Sequence, residues 1–179
     1  YAAEDGAIVG RSVPNTPNSF LCTAHAYTNF VLELSFRVAT NLNSGVQIRS
    51  ECHEDAREVV MDGKSSKIPA GRVHGYQVEI DPSERAWTGG IYDESRRGWL
   101  NDLKANDAAR KAFRQGDWNR FRIEARGDSL KTWLNDVPAA DLRDAVTPAG
   151  FIALQVHGVG AKTESMEVRW RDIRIRELP

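Results

Sequence analysis

Sulfur is scarce in this sequence, with two cysteines and two methionines in 179 residues, and no apolar run approaches the ~20 residues that cross a bilayer as a helix. Cys22 and Cys52 show neither a CxxC pair nor zinc-ligand spacing, so a disulfide and two buried free thiols both stand as readings and the redox compartment stays open. A surplus of one charge is missing too. The 24 Lys+Arg against 25 Asp+Glu, net charge −1, exclude a broad electrostatic grip on nucleic acid and a polybasic membrane patch. No HxH or HExxH spacing joins His25, His53, His74 and His157, so a divalent cation would need ligands distant in sequence. No repeat or low-complexity tract is present. What remains is a chain long enough for one domain, residues 1–179, whose core needs no disulfide staple. It opens at Tyr1 and its methionines are Met61 and Met166, so it reads as a processed or trimmed product from which any secretory leader has gone.

The dominant period is two. Leu32, Leu34, Phe36 and Val38 alternate with Glu33, Ser35 and Arg37, the pattern of a half-buried strand. Phe121, Ile123 and Ala125 alternate with charged residues in the same way. Gly127-Asp128 then turns the chain into Leu130–Leu134, a hairpin. Phe151–Val156 is another strand. Val168 and Trp170 have the opposite parity to Ile173 and Ile175, which a bulge near Arg171-Asp172 would reconcile. At least about seven short strands between Gly, Pro, Asn and Asp clusters predict an antiparallel sandwich. One short helix is expected after an Asn106-Asp107 cap, through Ala108–Phe113. Residues 53–73 read as an irregular polar loop of roughly twenty residues, longer than most connections in a compact domain.

Three strands carry short, directional polar groups on one face. Gln47, Arg49 and Glu51 alternate with Val46 and Ile48; Gln77, Glu79 and Asp81 alternate with Val78 and Ile80; Gln155 and His157 alternate with Leu154 and Val156. A merely solvated face recruits more lysine, so a ligand site is the preferred reading over a bare outer surface. Trp87, Tyr92 and Trp99 sit in a glycine- and arginine-rich segment, where rings can pack on the C–H faces of a sugar while amides and carboxylates bond its hydroxyls. For Trp99 a core position is an equal reading. Glu79, Asp81 and Glu84 also fit the E-x-D-x-x-E spacing of retaining glycoside hydrolases, whose two carboxyl groups lie ~5–5.5 Å apart. Pro82 should end that strand and leave Glu84 in a turn, which weakens this alternative.

Seven segments taken in order resemble the 3-keto-disaccharide hydrolase family: Asn43–Ser50, Gly71–Asp81, Thr88–Tyr92, Trp118–Ile123, Trp133–Val137, Ile152–Gly158 and Val168–Ile175. The resemblance covers nearly the whole chain, although the family's usual first strand, with its Asp/Asn-Gly-Lys segment, has no counterpart. It implies an all-β fold, a two-sheet antiparallel jelly-roll sandwich of concanavalin type, in bacterial proteins that are secreted, periplasmic or lipid-anchored. It further implies cleavage of 3-keto-glycosides by removal of the C2 proton, elimination at C1 and hydration. On that reading Glu79 or His157 is the base, and Arg49 or a divalent cation stabilises the enolate. Gln47, Gln77, Asp81 and Gln155 hold hydroxyls, while Trp87 and Tyr92 stack on the sugar. The 53–73 and 87–99 segments would close the two ends of the cleft. A non-catalytic carbohydrate-binding jelly roll is the alternative, because fold does not fix function.

Overall fold

The computed structural model describes all 179 residues. In chain order the strands are β1 (Ala2–Glu4), β2 (Ala7–Arg11), β3 (Ser19–Cys22), β4 (Phe30–Val38), β5 (Ser44–Glu51), β6 (Arg57–Met61), β7 (Lys64–Ile68), β8 (His74–Ile80), β9 (Ile91–Glu94) and β10 (Gly98–Asn101). Helix α1 (Asp107–Ala112) follows, then β11 (Asn119–Arg126), β12 (Ser129–Leu134), β13 (Val137–Arg143), β14 (Phe151–Val156) and β15 (Glu167–Glu177). They form a seven-stranded sheet, β1-β2-β15-β4-β11-β12-β13, and a six-stranded sheet, β10-β9-β8-β5-β14-β3. Every pairing is antiparallel. The expected sandwich is present, and no helix is long and apolar enough to cross a membrane.

Period-two alternation is what makes the two sheets face each other. Leu32, Leu34 and Phe36 of β4 and Phe121 and Ile123 of β11 meet Val46 and Ile48 of β5 and Tyr76, Val78 and Ile80 of β8 in one buried cluster. Alternate residues of the six-stranded sheet are thereby aimed away from the core, onto the face that carries the site. The helix is where its cap predicts, with the Asn106 side chain accepting from Ala109 N. The β15 bulge lies between Arg171 and Arg174, with Asp172 at φ 54, and it sets Ile175 opposite Leu32. Ile173 and Ile175 nevertheless stay 42% and 38% exposed, because β2 accompanies β15 only as far as Trp170.

Three expectations need correction. The 53–73 segment is not irregular: β6 and β7 pair as a hairpin through Asp62 (φ 52) and Gly63 (φ 73), the left-handed pair that a two-residue hairpin turn requires. Cys22 and Cys52 are free thiols and both are exposed, not buried. Arg49 leaves the polar face. A bulge between Ile48 and Glu51, with Arg49 at φ 45, turns its side chain towards the end of the opposite sheet. There its guanidinium donates to the carbonyls of Thr28 and, at 2.7 Å, Gly127, and contacts Asn29 Oδ1 at 3.3 Å. It is fully buried and ties β5 to the β3–β4 connection and the β11–β12 turn.

Arg49→Met removes those bonds, so the Thr28 and Gly127 carbonyls lose their charged donor and the link that the buried guanidinium makes between three segments is broken. A loss of about 2–4 kcal/mol is expected, read as a lower urea midpoint with an unchanged m-value; a variant as stable as the parent would contradict the role.

Candidate functional site: a polar cleft on the six-stranded sheet

Strand register lines up the polar residues. Trp99 pairs with Tyr92, Tyr92 with Gln77, Gln77 with Gln47 and Gln47 with Ala153, one row running across the sheet. In the next row Glu79 pairs with Gly45 and Gly45 with Gln155. Above these rows lies a cleft of about 390 Å³, within the usual range for ligand sites. It is lined by Gln77, Glu79, Tyr92, Trp99 and His157, together with Asn18, Asn43, Arg72, Arg85 and Glu94.

Its floor is a directional hydrogen-bond series. Ser50 Oγ donates to Gln47 Oε1 at 2.7 Å, Gln47 Nε2 to Gln77 Oε1 at 2.7 Å, and Gln77 Nε2 to Glu79 Oε2 at 2.8 Å. Asn43 Nδ2 reaches the other carboxylate oxygen, Glu79 Oε1, at 2.6 Å. Gly45 makes this geometry available. A Cβ there would stand 2.5 Å from Gln77 Cδ, so the glutamine can lie flat across the glycine only because no side chain is present.

Glu79 and Asp81 sit two residues apart on the same strand end, and their environments push them in opposite directions. Burial drives the Glu79 carboxyl above the usual carboxylate range, and the donors Asn43 and Gln77 offset this only in part. Asp81 also meets a burial penalty, but bonds from Ser83 and the Arg85 guanidinium outweigh it and hold the carboxyl low. Its oxygens accept from Ser83 Oγ at 2.6 Å, Arg85 Nε at 2.8 Å and Trp87 N at 3.3 Å. Asp81 is therefore committed to building the 81–87 turn and does not line the cleft, contrary to its expected role with hydroxyls. That turn aims Arg85 inward, its guanidinium carbon 4.6 Å from the Trp87 ring centre and 5.1 Å from that of Trp99. Trp99 lies edge-on to both Trp87 (4.8 Å) and Tyr92 (5.3 Å). Trp87 thus supports the wall through Trp99, and Trp99 lines the cleft.

The expected set divides cleanly. Gln77, Glu79, Tyr92 and His157 converge on the cleft. Gln47 stands one bond behind Gln77, and Gln155 is fully buried in the adjacent row with neither amide atom hydrogen-bonded. His157 is exposed at the rim, its Nδ1 2.8 Å from Gly158 O. Arg49 is absent from the site for the reason given above. Glu84 is exposed in the 83–86 turn, away from the lining residues. From the 87–99 segment Tyr92, Glu94 and Trp99 line the cleft, whereas the 57–68 hairpin contributes nothing to it. Arg72, Arg85, Asn43, Asn18 and Glu94 were missed. Asn43 and Arg72 sit just before β5 and β8, where loop polarity hides a ligand role, and Arg85 becomes inward only through Asp81.

The chain belongs to the family described as the 3-keto-alpha-glucoside-1,2-lyase-like domain, whose model matches residues 1–176. A carbohydrate-active role follows from this membership. Among solved structures, the carbohydrate-binding module CBM66 of Bacillus subtilis is similar in fold, with TM-score 0.62 and 14% identity over 96% of each chain. A Parabacteroides distasonis protein described as a candidate glycosyl hydrolase gives TM-score 0.61 and 21% identity, over 99% of this chain and 89% of that one. A Bacillus subtilis protein with a galectin-like fold gives TM-score 0.65 and 10% identity, over 97% of this chain and 83% of the other. Comparison with curated proteins gave no match.

Two outcomes follow for Glu79. Because its folded-state pKa lies above the unfolded one, its contribution to stability is complete below the ordinary carboxylate range and is lost as pH rises through the raised value. The stability of the parent should therefore fall relative to Glu79→Gln as pH rises above the ordinary carboxylate range, measured by urea unfolding across a pH series. Gly45→Ala displaces Gln77 and removes a donor to the charged form, so the Glu79 carboxyl should titrate still higher, followed by NMR of labelled glutamate. Overlapping stability profiles, or an unmoved carboxyl, would contradict the floor described here.

Proposed function

We propose that this protein cleaves glycosides whose glucose ring carries a ketone at C3, using Glu79 as the base. The observation that carries this reading is a buried carboxyl of raised proton affinity on the floor of a polar, aromatic-walled cleft. A C3 ketone acidifies the C2 proton, which is where such a base can act. Glu79 takes that proton, the C2–H electrons form the enolate, and collapse of the enolate expels the C1 substituent. The leaving oxygen needs a proton, and His157 at the rim is the titratable group on that side. Addition of water across C1 and C2 then completes net hydrolysis.

Arg85 takes the part first expected of Arg49. Its Nε is engaged by Asp81, leaving the terminal nitrogens, on a side chain packed against indole but 43% exposed, to meet the enolate oxygen. Trp99 and Tyr92 offer ring faces or edges to the sugar, and Gln77 and Asn43 hold the base. The two cleft arginines are each near a carboxylate, Arg72 Nη2 3.5 Å from Glu94 and Arg85 Nε 2.8 Å from Asp81, which suits a neutral polyhydroxylated ligand. An exported, bacterial-envelope location belongs to the same proposal and rests on the family resemblance alone.

Glu79→Gln should lower kcat on a 3-keto-glycoside by about 10²–10⁴-fold with the fold retained. In the parent, kcat/KM should rise with pH through an apparent value above the ordinary carboxylate range. Glycan binding without release of aglycone from any 3-keto-glycoside would favour the binding-module reading. Turnover of unoxidised glucans that is abolished by Glu84→Gln would favour ordinary retaining hydrolysis.

A further inference from the structure

At the opposite end of β8 from Glu79, three side chains that the cleft does not use come together. Glu51 closes β5 and pairs with His74, the first residue of β8. His53 lies just beyond β5, its Nε2 3.5 Å from Glu51 Oε2 and its ring centre 5.5 Å from that of His74. One donor atom from each of the three lies within 4.8 Å of the others.

A second observation is independent of that spacing. His74 is 1% exposed, yet neither of its ring nitrogens has a hydrogen-bond partner. A buried imidazole normally finds a carbonyl, a carboxylate or a water, and each polar atom left unpaired costs about 1–3 kcal/mol. An imidazole held without a partner beside a second imidazole and a carboxylate is placed to donate a lone pair to a metal.

We infer that Glu51, His53 and His74 bind one first-row divalent cation, zinc being the best match. Two imidazole nitrogens and one carboxylate oxygen suit zinc-like ions better than calcium or magnesium, which prefer all-oxygen shells. Zinc at ~2.0–2.1 Å from each donor brings tetrahedral ligands to roughly 3.4 Å from one another. The Glu51–His53 pair is already at 3.5 Å. The remaining gap closes by rotation of those two side chains, 43% and 24% exposed, onto a fixed His74. Their exposure also gives the ion a way in and leaves a coordination position open.

The location says what the ion does. His53 and His74 flank the excursion that carries the β6–β7 hairpin, and that neck is already closed once by the backbone bond from Gly71 N to His53 O at 2.8 Å. A cation bridging the two histidines cross-links both ends of the excursion, and adds stability in proportion to its binding. Neither histidine lines the catalytic cleft, so the site stands or falls independently of the proposed hydrolase activity.

The test is calorimetric titration of the chelator-treated full chain with zinc chloride, together with thermal melts with and without the metal. One zinc per chain at micromolar or tighter affinity and a raised Tm are expected. Cobalt(II) should give a visible spectrum without a thiolate charge-transfer band, since Cys52 is not a ligand. His74→Ala risks unfolding a buried position, so the decisive variants are His53→Ala and Glu51→Gln, both partly exposed. Each should melt like the metal-free parent and bind zinc more than about 100-fold more weakly, while Cys52→Ser binds as the parent does. Absence of a saturable site, full affinity in both variants, or loss of binding in Cys52→Ser would overturn the assignment.

Discussion

Polar side chains that point away from the core of a sheet, yet are covered, depend on one another for hydrogen bonds, and Ser50, Gln47, Gln77 and Glu79 meet that constraint in the cleft floor while Gln155 in the adjacent row is left unpaired. Gln47, Gln77 and Glu79 are 0%, 2% and 5% exposed, so none can rely on water for its hydrogen bonds. The series from Ser50 through two glutamines to Glu79 meets the demand in one direction only, each amide donating forward and accepting from behind. Amides linked this way polarise one another. The last acceptor, with Asn43 on its other oxygen, is a carboxyl that is held in place and still resists ionisation. The hydrogen bonds immobilise the carboxyl, and burial raises its proton affinity against them.

The same constraint explains why the wall beside Glu79 is positively charged without being a loose cation. Asp81 spends its oxygens on Ser83, Arg85 and Trp87, which shapes the turn and holds the arginine against two indoles. On the neighbouring hairpin, buried Asp93 receives Arg96 at 2.6 Å and Arg97 at 2.6 Å, and Arg97 continues to Asp144 at 2.8 Å. Asp144 also accepts from the Tyr76 hydroxyl. This network anchors the β9–β10 hairpin, and with it Tyr92 and Trp99, to the first strand of the cleft floor. Breaking one member would strand a buried charge, so the aromatic wall inherits the rigidity of the ion network.

Much of the fold was legible because alternation with period two is imposed by the core itself. The polar faces of β5, β8 and β14 were legible for the same reason, which is why Gln77, Glu79 and His157 meet. What failed to show was every feature set by a local departure from that period. One bulged residue with φ 45 sends Arg49 through the sheet end, although its neighbours obey the alternation. An Asp62-Gly63 turn builds a hairpin from polar residues with weak alternation. Arg85 acts through a partner four residues away on a turn, and the Glu51, His53, His74 group is assembled across a strand pairing with no sequence spacing to announce it.

Charge balance acquires meaning only at this scale. A chain of 24 basic and 25 acidic side chains offers no field to steer an ion, and its cleft repeats that balance locally, with Arg72 and Arg85 set against Glu79 and Glu94. The balance is not symmetrical in kind. Arg85 is pinned by a low-lying Asp81, whereas Glu79 is biased towards its neutral form by burial. A carboxyl of raised proton affinity therefore shares the cleft with a guanidinium held by its own carboxylate partner, and on the proposed reading a proton can move at the first without any large rearrangement of the floor.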